Sequence, residues 1–126
     1  MIHGVGVDIV HVPRMERNLE RFGERFARRI LDEIECVDFR AAGSTAHFLA
    51  KRFAAKEAFA KALGTGFRDG LSPRQVGVRN DALGRPGFVV SGRARELMAQ
   101  FSISAAHLSL SDEKDYALAS VTLERS

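Results

Sequence analysis

Arg52, Lys56, Glu57 and Lys61 lie close together in the run from His47 to Gly66. The run is rich in Ala, Leu and long unbranched side chains, and no Gly or Pro interrupts it before Gly64, so it is predicted to be a helix that Gly64 terminates. At about 100° per residue, Phe48, Phe59 and Leu63 form one side of an apolar arc, and Leu49, Ala60 and Phe53 form the other. Arg52 and Lys56 fall inside this arc, and Glu57 and Lys61 sit side by side just beyond Phe53. A cation turned toward an apolar interior requires an anionic partner, because an unpaired buried charge is costly. The stretch therefore presents two cations and a Glu/Lys pair along one wall. The plainer alternative is a solvated amphipathic helix whose Lys and Arg stems lie over a core.

A second carboxylate, Asp8, belongs to the Val- and Ile-rich strand predicted from Ile2 to Val12. Alternation puts Val5, Val7 and Ile9 on one face and Gly4, Gly6 and Asp8 on the other. Two glycines beside a carboxylate leave a shelf that a ligand or another backbone can approach closely.

Other elements must position these two stretches. Pro13 suits the first turn of a helix, and Met15, Leu19, Phe22, Phe26 and Ile30 continue it at helical spacing, broken into two at Gly23. Arg14, Arg17, Arg21 and Arg25 lie beside that stripe. Asp32 to Ala42 is expected to form a short helix with Ile34, Val37 and Phe39 as apolar contacts, and Ser44 or Thr45 to cap the central helix. The loop Gly64-Thr65-Gly66-Phe67-Arg68-Asp69-Gly70 offers backbone amides to a phosphate, although it lacks the Gly-Lys-Ser/Thr ending of a Walker A loop. Val76–Arg79 and Phe88–Val90 read as strands joined by turn residues, and Ser91 as the cap of a helix through Phe101. The stretches 107–111 and 116–123 form a second hairpin, with His107, Ser109 and Ser111 on one face. The fold class expected is α+β, with a small, mainly antiparallel sheet packed on the long central helix.

The 126 residues fit one domain, 1–126, with a modest core. A net charge of +3 argues against a general nucleic-acid coat, yet the arginines between Arg14 and Arg29 are crowded enough to suggest a local anionic partner. Cys36 has no cysteine to pair with, which fits a reducing compartment. No apolar run approaches the roughly 18 residues of a membrane span, and Asp8 interrupts any signal-peptide core. A cytoplasmic protein is expected.

Phe53-Ala54-Ala55-Lys56-Glu57-Ala58-Phe59-Ala60-Lys61 resembles the signature of phosphopantetheinyl transferases, and Val5-Gly6-Val7-Asp8 resembles the family's upstream Gly-hydrophobic-Asp strand. Lys61-Ala62-Leu63-Gly64-Thr65-Gly66 resembles the family's short, single-domain branch, holo-(acyl-carrier-protein) synthase. The resemblance covers essentially the whole chain. It implies transfer of 4′-phosphopantetheine from coenzyme A to a serine of apo-acyl carrier protein, with adenosine 3′,5′-bisphosphate as the second product, in support of fatty acid biosynthesis. It implies Mg²⁺ held by Asp8 and Glu57, a hard cation taking oxygen donors. Asp8, Glu57 and Lys61 become the catalytic residues, with Glu57, directly or through a water on the metal, accepting the serine proton. Arg52, Lys56, Lys61, Gly64, Gly66 and His107 become coenzyme-binding residues. Arg14, Arg21 and Arg25 become the docking surface for an acidic carrier protein. A homotrimer with sites at subunit interfaces is implied, with no role for nucleic acid or membrane. Many relatives carry a further His where Asp112 stands here. Two other readings compete: a phosphate- or RNA-binding module, which gives Asp8 and Glu57 no purpose, and a carrier-binding scaffold without catalysis.

Overall fold

A computed structural model describes residues 1–126 and has the expected α+β class. The chain runs β1 (Ile2–His11), α1 (Val12–Phe22), α2 (Glu24–Ile30), α3 (Glu33–Ala41) and α4 (Ala46–Leu63), then β2 (Val76–Asn80), β3 (Pro86–Val90), α5 (Gly92–Gln100), β4 (Ile103–Asp112) and β5 (Tyr116–Arg125). One antiparallel sheet has the order β1-β5-β4, and β2 and β3 form a separate hairpin.

The central helix α4 is capped by Thr45, whose hydroxyl accepts the Phe48 amide proton at 3.2 Å, and ends at Gly64 in the left-handed region (φ 90°). Its burial departs from the single arc expected. Leu49, Ala54, Ala55, Lys56, Ala58 and Phe59 are all fully buried, so the helix is enclosed on most of its circumference, and only positions such as Lys61 open to solvent. Alanine makes this possible, since it lets neighbouring elements come close on every side.

The closest of these is β1. A Cβ added at Gly6 would lie 2.0 Å from the Ala58 carbonyl oxygen, and one added at Gly4 would lie 2.1 Å from that of Ala62. The glycine shelf therefore serves a backbone, that of α4, and the strand and helix lie in direct contact. Alternation then carries Asp8 onto the same inner face, while Val5, Val7 and Ile9 point outward and stay more than half exposed. Ala117, Ala119, Val121 and Leu123 of β5 continue the buried inner face.

Gly23 breaks α1 from α2 with a φ of 64°. Met15 and Ile30 are buried as expected, but Phe22 is exposed, with the Arg21 guanidinium 5.1 Å from its ring centre. In α3 Phe39 is buried as expected, but Ile34 and Val37 are exposed and the helix buries Glu35 and Cys36 in their place. Burial pushes the Cys36 thiol up from its ordinary range. Asp32 caps α3, its carboxylate accepting the Glu35 amide proton at 2.8 Å. Burial alone would raise Asp32, but the Arg79 hydrogen bond, the Glu35 amide, and the Arg79 and Lys56 charges hold it below the usual carboxylate range.

Candidate active site

Three of the sequence-predicted residues meet where β1 crosses α4. Asp8 projects from the inner face of β1. One turn separates Glu57 from Lys61 along α4, and Lys61 Nζ donates to Asp8 Oδ1 and to the Val7 carbonyl, each at 3.0 Å. Asp8, Glu57 and Arg14 line one cavity of about 300 Å³ with His11, Met15 and Phe53. The first turn of α1 follows directly on β1, which is why Arg14 arrives beside Asp8.

Burial, and after it the charge of Asp8, hold the Glu57 carboxyl above its ordinary value, while Lys61 pulls it back. Lys61 is paired with Asp8 rather than with Glu57. Asp8 and Glu57 thus face one cavity with Arg14, and of these two carboxylates Lys61 is bonded to Asp8 alone. Two carboxylates on one cavity fit a hard divalent cation, whose charge would offset the Asp8 contribution to the Glu57 shift. No third His, Cys, Asp or Glu joins the pair, so phosphate and water oxygens must complete such a coordination sphere.

The other expected coenzyme contacts divide. Lys56 is not available to phosphate: its Nζ is fully buried and donates to Glu35 Oε1 at 2.6 Å, Val76 O at 2.7 Å and Pro73 O at 3.0 Å. Burial depresses the Lys56 ammonium, and Glu35 opposes that shift. Gly64 and Gly66 also act differently from expectation. Both amides donate to the Ala60 carbonyl, at 3.2 Å each, so they close the helix and leave no N–H for an anion. Arg52 stands between the two roles. Its Nη1 donates to Glu35 Oε2 at 3.1 Å and Val78 O at 2.7 Å, its guanidinium stacks over Phe48 at 4.5 Å, and it still lines a cavity of about 250 Å³ with Lys51, Asn80 and Asp112.

That cavity adjoins a larger one of about 450 Å³ between the β2–β3 hairpin and β4; Asn80 and Pro86 line both. Arg79, Arg85 and His107 border the larger one. Lys51, Arg79 and Arg85 were not singled out by spacing, since they come from three elements that only the fold brings together. His107 pairs across β5 with Thr122, and Thr122 pairs with Val5. It therefore shares the outer sheet face with Val5, opposite to Asp8, and its ring is hydrogen-bonded to Glu124. One chain does not bring His107 to the Asp8–Glu57 cavity. Arg21 lies exposed on α1 two turns after Arg14, and Arg25 lies exposed on α2 beyond the Gly23 break.

The family model for the 4′-phosphopantetheinyl transferase superfamily matches residues 4–121. The chain belongs to the 4′-phosphopantetheinyl transferase superfamily. It is 55% identical over 123 residues to a holo-[acyl-carrier-protein] synthase of Halorhodospira halophila, covering 98% of both chains. Its fold superposes on the crystal structure of holo-[acyl-carrier-protein] synthase from Neisseria meningitidis with a TM-score of 0.94 and 47% identity, covering 99% of this chain and 100% of that one. A holo-(acyl-carrier-protein) synthase from Bacillus anthracis, solved in complex with CoA (3′,5′-ADP), gives a TM-score of 0.83 and 38% identity, covering 100% of this chain and 99% of that one. As a phosphopantetheinyl transferase the chain is an enzyme, and the cavity where its signature strand and helix cross is the candidate catalytic centre.

Proposed function

We propose that residues 1–126 form one holo-(acyl-carrier-protein) synthase domain, acting in the cytoplasm to supply carrier protein for fatty acid synthesis. It moves 4′-phosphopantetheine from coenzyme A to a serine of apo-acyl carrier protein. The observation that carries this is the placement of Asp8 and Glu57 on one cavity with Lys61 bonded to Asp8. Neither a phosphate- or RNA-binding module nor a carrier scaffold requires two carboxylates at that point, since carboxylates repel phosphate.

The reaction has the carrier's serine oxygen bond to the phosphorus that bears the pantetheine arm. The bond from that phosphorus to the bridging oxygen breaks, and adenosine 3′,5′-bisphosphate leaves with the electron pair. Mg²⁺, which Asp8 and Glu57 would hold, supplies neutralisation of the pyrophosphate charge. Glu57, directly or through a water that the metal would hold, takes the serine proton. Lys61 offers its remaining ammonium hydrogen to the departing phosphate oxygens. The adjoining cavities bordered by Lys51, Arg52, Arg79, Arg85 and His107 suit the adenosine and its phosphates. Arg14, Arg21 and Arg25 form the carrier's docking face, with Arg14 at the catalytic cavity itself.

We read the working unit as a homotrimer. Val5, Val7 and Ile9 form an exposed apolar row with Leu118 and Tyr116 on the outer sheet face, which suits burial against another copy. His107 occupies that same face. Assembly through it would bring the His107 of one copy to the catalytic cavity of a neighbour, which one chain alone does not do. Chromatography of a mixture of the protein, coenzyme A, Mg²⁺ and apo-carrier tests the transfer. Release of adenosine 3′,5′-bisphosphate only when the apo-carrier is present is the expected result. Coenzyme cleavage without carrier, or none at all, would refute it.

A further inference from the structure

Glu35 touches both halves of the proposed site from behind. It lies in the first turn of α3, and its carboxylate is fully buried. Oε1 accepts from Lys56 Nζ at 2.6 Å and from the Asp32 amide at 3.1 Å; Oε2 accepts from Arg52 Nη1 at 3.1 Å and from the Val78 amide at 3.2 Å. Lys56 completes its own set on the Pro73 and Val76 carbonyls, and no buried side-chain polar atom is left without a partner. Stability gives little reason for such a cluster, because buried ion pairs of this kind exchange for packed apolar side chains at little or no cost. What they do supply is direction. On its β1 side, α4 meets glycine with alanine, a contact that fixes how near the helix comes. The bonds from Arg52 and Lys56 to Glu35, β2 and the Pro73–Gln75 turn add directional contacts to that packing.

We propose that Glu35 is a positioning residue for the transfer: by anchoring Lys56 it turns the adjacent Glu57 toward Asp8, and by anchoring Arg52 it sets the edge that this guanidinium shows to the coenzyme cavity. The inference rests on the transferase reading above and adds the coupling of metal site to coenzyme site through one buried carboxylate. Gln at this position keeps the shape but turns an N–H group against either the Lys56 and Asp32 donors or the Arg52 and Val78 donors.

The test is calorimetric titration of the folded proteins with coenzyme A, and separately with Mn²⁺ as the metal probe. E35Q is expected to bind both about tenfold more weakly than the wild type, in the range of losing a group that orients a metal ligand. A purely structural Glu35 would lower the melting temperature and leave both constants of the folded fraction alone. Wild-type affinity for either ligand in folded E35Q would overturn the proposal. E35M/R52M/K56M removes the buried carboxylate together with both cations it pairs and serves if E35Q does not fold. It is expected to melt closer to the wild type and still to bind Mn²⁺ weakly; wild-type Mn²⁺ affinity in it would overturn the proposal as well. A wild-type protein that binds neither ligand would instead refute the transferase reading beneath it.

Discussion

Glu57 carries a cost that the fold does not need. Its carboxyl is held above the ordinary 4.5 by burial first and by Asp8 second. Because the folded value is raised, the ionised form weakens the fold, and it does so fully above the folded value. The cost fades as pH falls through that value and is gone below the unfolded one. In metal-free buffer at neutral pH, E57Q should therefore melt a few degrees higher than the wild type, with the gap closing as the pH drops toward 4.5. The same variant should lose nearly all transfer activity. A lower melting temperature at neutral pH would mean that Glu57 is a structural partner. At this scale helical spacing set Glu57 beside Lys61 and alternation set Asp8 on the glycine face, but only the family resemblance joined the three into one site; the requirement that a buried cation find an anion pointed to a partner for Arg52 and Lys56. The sequence did not show that the partner is Glu35. Three residues after Asp32, Glu35 reads as the second half of a capping box, which it also is. Its nine-residue helix is too short for Ile34 and Val37 to reveal by periodicity that they face outward.

The pairing of β1 with α4 depends on missing side chains. Gly6 Cα lies against the Ala58 carbonyl, and an added methyl group would also sit 2.8 Å from the Ala62 nitrogen. These obstacles are backbone and cannot rotate away. G6A should lower stability by about 1–3 kcal/mol, the usual range for overpacking, and denaturant unfolding measures it. It should also reduce activity in the protein that remains folded, because strand and helix separate at the point where Asp8 and Glu57 meet. Unchanged stability would show that β1 can shift without strain. The helix α1 supports a different expectation. Arg14 borders the catalytic cavity and Arg21 is exposed two turns further on. R14E and R21E should raise the KM for carrier protein several-fold and move the KM for coenzyme A much less. Added salt should act in the same direction, since exposed pairs are screened over about 8 Å at physiological ionic strength. Equal changes in both constants would indicate a folding defect instead. The elements themselves were largely readable, to within a residue or two for most. What alternation could not tell is which face of β4 the helix covers, so the separation of His107 from Asp8 appears only once the order β1-β5-β4 is known.

For the whole molecule, the sheet's outer face is the unresolved surface of one chain. Val5, Val7 and Ile9 are 58%, 51% and 60% exposed, a row too apolar for free solvent. V7K should convert an assembled protein to monomer in sedimentation experiments. If His107 serves a neighbour's cavity, the monomer should retain its fold and lose coenzyme affinity. A V7K monomer with wild-type coenzyme affinity would place the entire site within one chain.

The central claim is that this chain moves the pantetheine arm onto a carrier with Asp8 and Glu57 as its metal carboxylates. Intact-mass measurement of the apo-carrier after incubation with the protein, coenzyme A and Mg²⁺ tests it most directly. The account predicts a carrier heavier by one phosphopantetheine group, with no gain in excess chelator, with D8N, or with a carrier whose acceptor serine is replaced by alanine. A wild-type reaction that leaves the carrier's mass unchanged, or one that proceeds fully in chelator, would contradict it.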